Sequence, residues 1–474
     1  MQKRFLSYAL LVLFLNFTVK GTYLLVVERE VQNVLPPGEY GLYFSLFNLS
    51  LLFLVVADFG LQPFNNRQLS QNRHLLAKYF PYFIGLKLIL LLVFMAALLT
   101  AGLILGYNSP TLGLLTIVGL NIALGSLLLF LRTNLSGLGF YRLDSWVSIV
   151  DKTLMILLVG SLLTITPELM SVHAFALAQT ISLTLACLLV VLLLWSRLKR
   201  RLPKFKKAVW LNIMRRAWPY ALAIVLMAAY TRIDAVMIER LLTDGELQAD
   251  HYAAAYRLLD AVNMGGFLLA GLLLPMFARL LGQNKSVSPL LRTAAPLAIT
   301  GATTISMVLV ITSGPVTSFL YDFADARTAL ILAWLIPAFV AFCGNYIYGS
   351  LCTAAALLGP MNRIFTIGVL INFVGNLIVL PKYGAVGCAA VTTITQTFIT
   401  TALILLAHRR LAISNMAKTW WRTGASLLVL GLCSFALPQV VSISYLSHAA
   451  LVLALGLFFM LWHLKVSPPA SAEF

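Results

Sequence analysis

The chain has 474 residues, of which 60% are hydrophobic and only 11% are charged, and its mean hydropathy is +0.92. Soluble domains carry about 25% charged residues, so this composition excludes a soluble protein and predicts an all-α polytopic membrane protein. The net charge of +18 does not indicate nucleic-acid binding, because membrane proteins concentrate Lys and Arg in their cytoplasmic loops.

Hydrophobic runs predict about fourteen transmembrane helices. The first run is too long for a cleaved signal peptide, so it is predicted to be the first membrane helix. The predicted spans are 5–27, 41–62, 77–105, 111–131, 145–165, 171–195, 216–239, 251–280, 291–312, 328–357, 362–380, 384–407, 422–438 and 445–464.

Loop charges give the orientation of these spans. When the loops are numbered alternately from a cytoplasmic N-terminus, the inside loops hold 25 of the 34 Lys and Arg residues. The outside loops hold only Arg29, Arg240, Arg327 and Lys382. Because cationic loops stay in the cytoplasm, this asymmetry predicts that both termini are cytoplasmic.

A basic run divides the chain. Residues 1–196 are predicted to form an N-terminal six-helix bundle, 197–215 a basic cytoplasmic linker and 216–408 a C-terminal six-helix bundle. Residues 409–474 add two further helices and a tail. Two bundles around a central cavity are the layout of many transporters built from repeated halves. The loops leave no room for a soluble catalytic domain, so no enzyme activity is expected.

Charged residues within the spans are the candidate binding groups, because a charge in a bilayer needs a partner or an aqueous cavity. The cations are Lys20, Lys87, Lys152, Arg232 and Arg257, and the acids include Asp58, Asp151, Asp234 and Asp260. One interpretation is a cationic cavity for an anionic headgroup. The other is local pairing, for which Arg257 and Asp260 have the i,i+3 spacing of one helix face.

Polar uncharged residues follow in the eleventh and twelfth spans, including Asn372, Asn376 and Gln396. They are candidates either for hydrogen bonds between helices or for sugar contacts in the cavity. The five cysteines all lie in apolar runs without ligand spacing, so no metal site and no cofactor is expected.

Several motifs resemble polysaccharide transporters, the O-antigen flippase (Wzx-type) family of the multidrug/oligosaccharidyl-lipid/polysaccharide exporter superfamily. Three stretches carry the resemblance in the second half: Arg232-Ile-Asp234, the segment 252–260, and Asn372-Phe-Val-Gly-Asn376 followed by Pro381-Lys-Tyr-Gly. In the first half, Gly38-Glu-Tyr-Gly and Ala57-Asp-Phe-Gly60 are similar to the same family.

The resemblance implies a flippase in the bacterial plasma (inner) membrane, moving an undecaprenyl-pyrophosphate-linked glycan by alternating access for surface polysaccharide synthesis. Membrane lipids, a polysaccharide polymerase and glycosyltransferases would be its partners. It also implies ion coupling, for which Asp58, Asp234 and Asp260 are the candidates. The alternatives are a lipid II flippase and a membrane glycan polymerase or ligase. The latter class typically uses a large outside loop, which this chain lacks.

Overall fold

The computed structural model describes residues 16, 18–61, 76–137, 140–197, 206–411, 413, 416–435 and 444–466, and these contain helices but no strand. By contacts the chain divides into two compact units, Met1–Asp250 and His251–Phe474. The division into two six-helix bundles at the linker 197–215 is a separate matter from this division by contacts, and it stays a prediction.

The helices up to the boundary begin with residues 18–22, which continue into a π-helical segment, Tyr23–Glu28. The α-helices that follow are α1 (Arg29–Val34), α2 (Glu39–Asp58), α3 (Leu76–Ile104), α4 (Ser109–Gly137), α5 (Tyr141–Ile165), α6 (Val172–Arg197), α7 (Lys207–Leu241) and α8 (Gly245–Gly282). Helix α8 crosses the boundary between the units after Asp250.

The remaining helices belong to the second unit. They are α9 (Ser288–Ile311), α10 (Ser313–Leu320), α11 (Ala326–Leu335), α12 (Ala338–Ala354), α13 (Leu358–Arg410), α14 (Ala417–Phe435) and α15 (Tyr445–Val466). Helix α13 is two helices joined at Gly384, whose φ of 57° and ψ of −146° are not helical. That break falls between the predicted spans 362–380 and 384–407.

The predicted fold class is confirmed, since 11 helices in the described part are long and apolar enough to cross a membrane. Helices α11 and α12 count together as one of these 11, Ala326–Ala354. The 11 hold 12 of the predicted spans, because α13 contains two of them. The first predicted span, 5–27, lies mostly outside the described residues. Helix α14 covers the predicted span 422–438 only in part. It is long enough to cross a membrane but is not apolar enough to count among the 11.

Helix α2 organises the first unit, because it packs against α3, α4 and α7, while α6 packs against both α4 and α5. Most of its first half is buried, including Tyr40, Tyr43 and Phe44. The helix ends at Asp58, and the following Phe59 and Gly60 take left-handed backbone conformations. The chain therefore turns sharply just after a membrane carboxylate.

Helix α9 organises the second unit, where it packs against α12, α14 and α15. Gly456 of α15 makes this packing close, because a β-carbon there would lie 2.1 Å from Thr304 Oγ1. Helix α15 is thus held against α9 by a small residue, as is common between membrane helices. Helices α12 and α13 also pack together, and the break before α12 falls at Pro337.

Candidate functional site

The first unit contains a cavity of about 350 Å³ between α2, α4, α5, α6 and α7. Its polar and charged lining residues are Asp58, Asn121, Ser126, Asp151, Lys152 and Gln179. Phe47, Leu51, Ile122, Leu183 and other apolar side chains form the rest of the wall. Three of the membrane charges named from the sequence, Asp58, Asp151 and Lys152, therefore line one chamber of this unit.

Gln179 is the centre of a hydrogen-bond network on one wall of the cavity. The Tyr43 hydroxyl donates to Gln179 Oε1 at 3.1 Å, and Asn121 Nδ2 donates to the same oxygen at 3.2 Å. Thr180 in turn donates to Asn121 Oδ1 at 2.7 Å. Because buried amides need partners, this network fixes the polar wall, and the sequence analysis did not single out its residues.

Lys152 is the cavity's exposed cation. Its Nζ lies 3.8 Å from Asp151 Oδ2 and 4.3 Å from the centroid of the Tyr23 ring. A quarter of its side chain is exposed. The separation from Asp151 is long for a charge-assisted hydrogen bond, so the ammonium keeps capacity for a further acceptor.

Lys20 and Arg132 extend the positive charge around Lys152. Lys20 is largely buried and lies near the charges of Asp151, Arg132 and Lys152. Arg132 follows the predicted span 111–131 and so was expected in a cytoplasmic loop. It lies within α4, which continues to Gly137, and it is half-buried with its Nε 2.9 Å from Asp144 Oδ1.

Lys87 and Asp58 are brought together as an ion pair. Lys87 Nζ lies 2.9 Å from Asp58 Oδ1, and the lysine side chain is fully buried. Its ammonium also donates to the Ala57 carbonyl oxygen at 2.9 Å and to Ser126 Oγ at 2.8 Å. In this conformation Asp58 faces the cavity, whereas Lys87 lies behind it among three oxygen atoms.

Arg232 and Asp234 lie on α7, which packs against α2. Arg232 Nη1 lies 3.5 Å from Asn48 Oδ1 and is partly buried, while Asp234 is buried. The Ser45 hydroxyl donates to the Ala235 carbonyl oxygen at 2.8 Å, which fixes the register of the two helices beside both charges.

In the second unit, Arg257 and Asp260 form the local pair that their spacing suggested. Arg257 Nη1 lies 3.4 Å from Asp260 Oδ2, and the arginine is buried to 7% exposure. The long separation makes this a weak pair for two charged groups. The pair is therefore compatible with a role of Arg257 in ligand binding.

The predicted polar residues of α13 are buried inside the second unit. Asn372, Asn376 and Gln396 are all fully buried. Asn376 Nδ2 lies 3.4 Å from Asn372 Oδ1, and the Tyr252 hydroxyl lies 3.5 Å from Thr392 Oγ1. In this conformation the three amides present no exposed surface to a sugar.

Two further polar contacts lie at helix ends, and each involves one residue outside the spans, Tyr107 in the first and Asp325 in the second. The Tyr107 hydroxyl donates to Glu239 Oε2 at 2.7 Å, and burial, followed by the negative charge of Glu239, raises the pKa of Tyr107. Burial alone would raise the pKa of Asp325, but hydrogen bonds from Thr328 and the charge of His251 hold that pKa below its ordinary value. Tyr107 therefore remains a hydrogen-bond donor, and Asp325 remains an acceptor.

The described residues contain no group of three or more His, Cys, Asp or Glu that could hold a metal ion. Four cysteines, Cys187, Cys343, Cys352 and Cys388, are buried thiols, and Cys433 is partly exposed.

Comparison with known proteins adds a family relationship. A family model described as a polysaccharide biosynthesis protein matches residues 8–281, more than half of the chain. A sequence comparison with curated proteins finds no match.

Solved structures with the same fold are membrane transporters. The lipid II flippase MurJ, in an inward closed conformation, aligns with a TM-score of 0.66 at 14% identity over 96% of this chain and 98% of that chain. An inward-facing multidrug resistance MATE family transporter of the MOP superfamily aligns with a TM-score of 0.61 at 13% identity over 84% and 98%. A MOP superfamily transporter from Pyrococcus furiosus gives 0.58 at 15% identity over 85% and 94%. At such identities the likeness establishes the fold.

Proposed function

Because the chain belongs to the polysaccharide biosynthesis protein family, we propose that it is a flippase that carries an undecaprenyl-pyrophosphate-linked oligosaccharide across the bacterial inner membrane. The family match over residues 8–281 carries this proposal. The MOP-superfamily fold supports a transporter that works by alternating access. No catalytic role is assigned to any residue.

The membrane cations support an anionic headgroup as the ligand. Lys20, Lys152 and Arg232 are partly buried in the first unit, where the surroundings strengthen their attraction for phosphate oxygens. Lys152 also lines the cavity of that unit. Arg257 is the corresponding candidate of the second unit, and Asn372, Asn376 and Gln396 are candidates that would meet sugar hydroxyls only after a conformational change.

The proposal includes ion coupling through Asp234 and Asp260. Asp234 is buried in the membrane helix α7, where an intramembrane carboxylate is a candidate coupling group for a proton or a cation. The termini are proposed to be cytoplasmic, and a polymerase and glycosyltransferases are proposed partners for the product and the substrate.

A lipid II flippase is the second candidate function. The observation that favours it is coverage: the MurJ structure aligns with 96% of this chain, whereas the MATE structure aligns with 84%. The same assay separates the two candidates, since both substrates share the undecaprenyl-pyrophosphate anchor and differ in the sugars.

The test is lipid flipping in vesicles that contain the purified protein. Each vesicle preparation carries either an O-antigen-type lipid-linked oligosaccharide or lipid II, with a labelled sugar that an added enzyme can reach only in the outer leaflet. Protein-dependent exposure of the oligosaccharide but not of lipid II supports the first candidate, and the reverse supports the second. Rates equal to those of empty vesicles for both substrates contradict a flippase of either kind.

Variants then test the cavity cations. Lys152→Ala and Arg232→Ala are each expected to lower flipping about tenfold or more, since one charge-assisted contact is worth roughly 1.5–3 kcal/mol. Lys285→Ala is the matched control, because Lys285 is an exposed loop cation and its loss should leave the rate unchanged. Wild-type flipping rates in all three variants would show that Lys152 and Arg232 do not bind the substrate.

A further inference from the structure

The surroundings of Lys87 differ from those of the other membrane cations. Its ammonium group has three N–H donors, and three oxygen atoms of α2 and α4 accept from it at 2.8–2.9 Å. These atoms are the Ala57 carbonyl oxygen, Asp58 Oδ1 and Ser126 Oγ. Every donor is therefore used, and the lysine side chain is fully buried.

The chemistry of this shell is that of a metal-cation site. One carboxylate, one backbone carbonyl and one hydroxyl oxygen are the hard, oxygen-only ligands that alkali and alkaline-earth cations select. The single carboxylate balances one positive charge, which favours a monovalent cation.

We infer that Ala57, Asp58 and Ser126 form a monovalent-cation site whose resident ion is the ammonium group of Lys87. Lys87 of helix α3 thus provides the positive charge that a sodium ion from solution would otherwise bring to these three oxygen atoms. The inference concerns a site in the first unit and does not depend on which substrate the protein transports.

The cavity gives a solution cation access to this site. Asp58 and Ser126 both line the cavity of the first unit, whereas Lys87 does not. The other charges that line the same cavity are Asp151 and Lys152, which lie 3.8 Å apart. Removing the Lys87 side chain would leave three oxygen ligands beside a chamber that water and small ions can enter.

The test is cation binding by purified protein in which Lys87 is replaced. Lys87→Ala removes the ammonium group and leaves space, and Lys87→Ser adds a fourth oxygen. In both variants NaCl is expected to raise the melting temperature saturably, by on the order of 3 °C. The rise is measured relative to the same variant in N-methyl-D-glucamine chloride at equal concentration. They are also expected to bind radioactive sodium with one site more than the wild type.

Two controls isolate the site from sodium binding elsewhere in the chain. Lys87→Met fills the space with an uncharged chain, and Lys87→Ala with Asp58→Asn removes the only acid ligand, so neither should gain the sodium response. A sodium response of Lys87→Ala and Lys87→Ser equal to that of the wild type overturns the inference. Failure of both proteins to fold in sodium-containing buffer also overturns it, because a competent site would be refilled by the ion. Neither outcome bears on the flipping assay.

Discussion

Gly41 lies directly against the backbone of Glu246, so that a β-carbon at Gly41 would fall 2.0 Å from the Glu246 carbonyl oxygen and 2.7 Å from the Asp250 amide nitrogen. Gly38 and Asp250 meet at the same place, since the Gly38 amide donates to the Asp250 carboxylate. The start of α2 is therefore held against residues 246–250 by backbone contact, which only glycine at position 41 permits.

Gly41→Ala is expected to lower the free energy of unfolding by about 2 kcal/mol or more, because the clashing atoms belong to a backbone that cannot rotate away. The measurement is the melting temperature of the purified protein. Gly113→Ala is the matched control, since Gly113 lies in helix α4 with no atom within 4 Å of the added carbon. An unchanged melting temperature in Gly41→Ala would show that the two segments separate without loss of stability.

Local sequence patterns predicted much of this fold. A membrane helix is marked by a continuous run of apolar residues, which is a local feature of the sequence. The membrane helices and the break near Gly384 could therefore be predicted. The i,i+3 spacing of Arg257 and Asp260 likewise indicated a pair, which the structure confirms.

Contacts between distant residues did not follow from those patterns. Asp58 and Lys87 are 29 positions apart, and helix periodicity carries no information about which faces of two helices meet. The same holds for Tyr43 and Gln179, which are 136 positions apart, and for the approach of Gly41 to Glu246. The roles of the membrane charges in binding stay predictions for the same reason.

The Asp58–Lys87 pair is expected to behave as one unit in a double-mutant cycle. Asp58→Asn leaves a fully buried ammonium without its counter-charge, which costs about 3–5 kcal/mol. Lys87→Met is expected to cost less, because the Asp58 carboxylate still faces the cavity. Combining the two changes removes both charges, so the double variant should be more stable than Asp58→Asn alone when melting temperatures are compared. Additive losses would show that the two residues act independently.

Gln179 is expected to stabilise the cavity wall through its amide oxygen. Gln179→Leu removes the acceptor shared by Tyr43 and Asn121, so two buried donors each lose one hydrogen bond, which should cost about 1–3 kcal/mol. Gln179→Glu keeps the acceptor and should retain more of the melting temperature. Thr116→Val serves as the control, because the exposed Thr116 hydroxyl donates only to the carbonyl oxygen of its own helix at Leu112.

Asp325 gives a prediction with a defined pH dependence. It begins helix α11 with a capping box, in which its side chain accepts from the Thr328 amide, and it lies 3.7 Å from His251 Nδ1. Since the pKa of Asp325 is lower in the folded protein than its ordinary value of 3.8, the carboxylate contributes stability above that value and loses it as the pH falls through the folded pKa. Asp325→Ala should therefore lower stability at pH 7 by about 0.5–2 kcal/mol, the usual cost of losing such a cap.

The measurement is the difference in melting temperature between the wild type and Asp325→Ala from pH 7 down to pH 3. We expect a constant difference down to about pH 5 and a decrease below pH 4, where the wild-type carboxylate takes up a proton. Asp322→Ala is the control, because Asp322 is a nearby acid that does not cap α11. A difference that grows as the pH falls from 7 to 5 would assign the effect to the pair with His251 and not to the cap, because an imidazole gains its positive charge in that interval and then attracts the carboxylate.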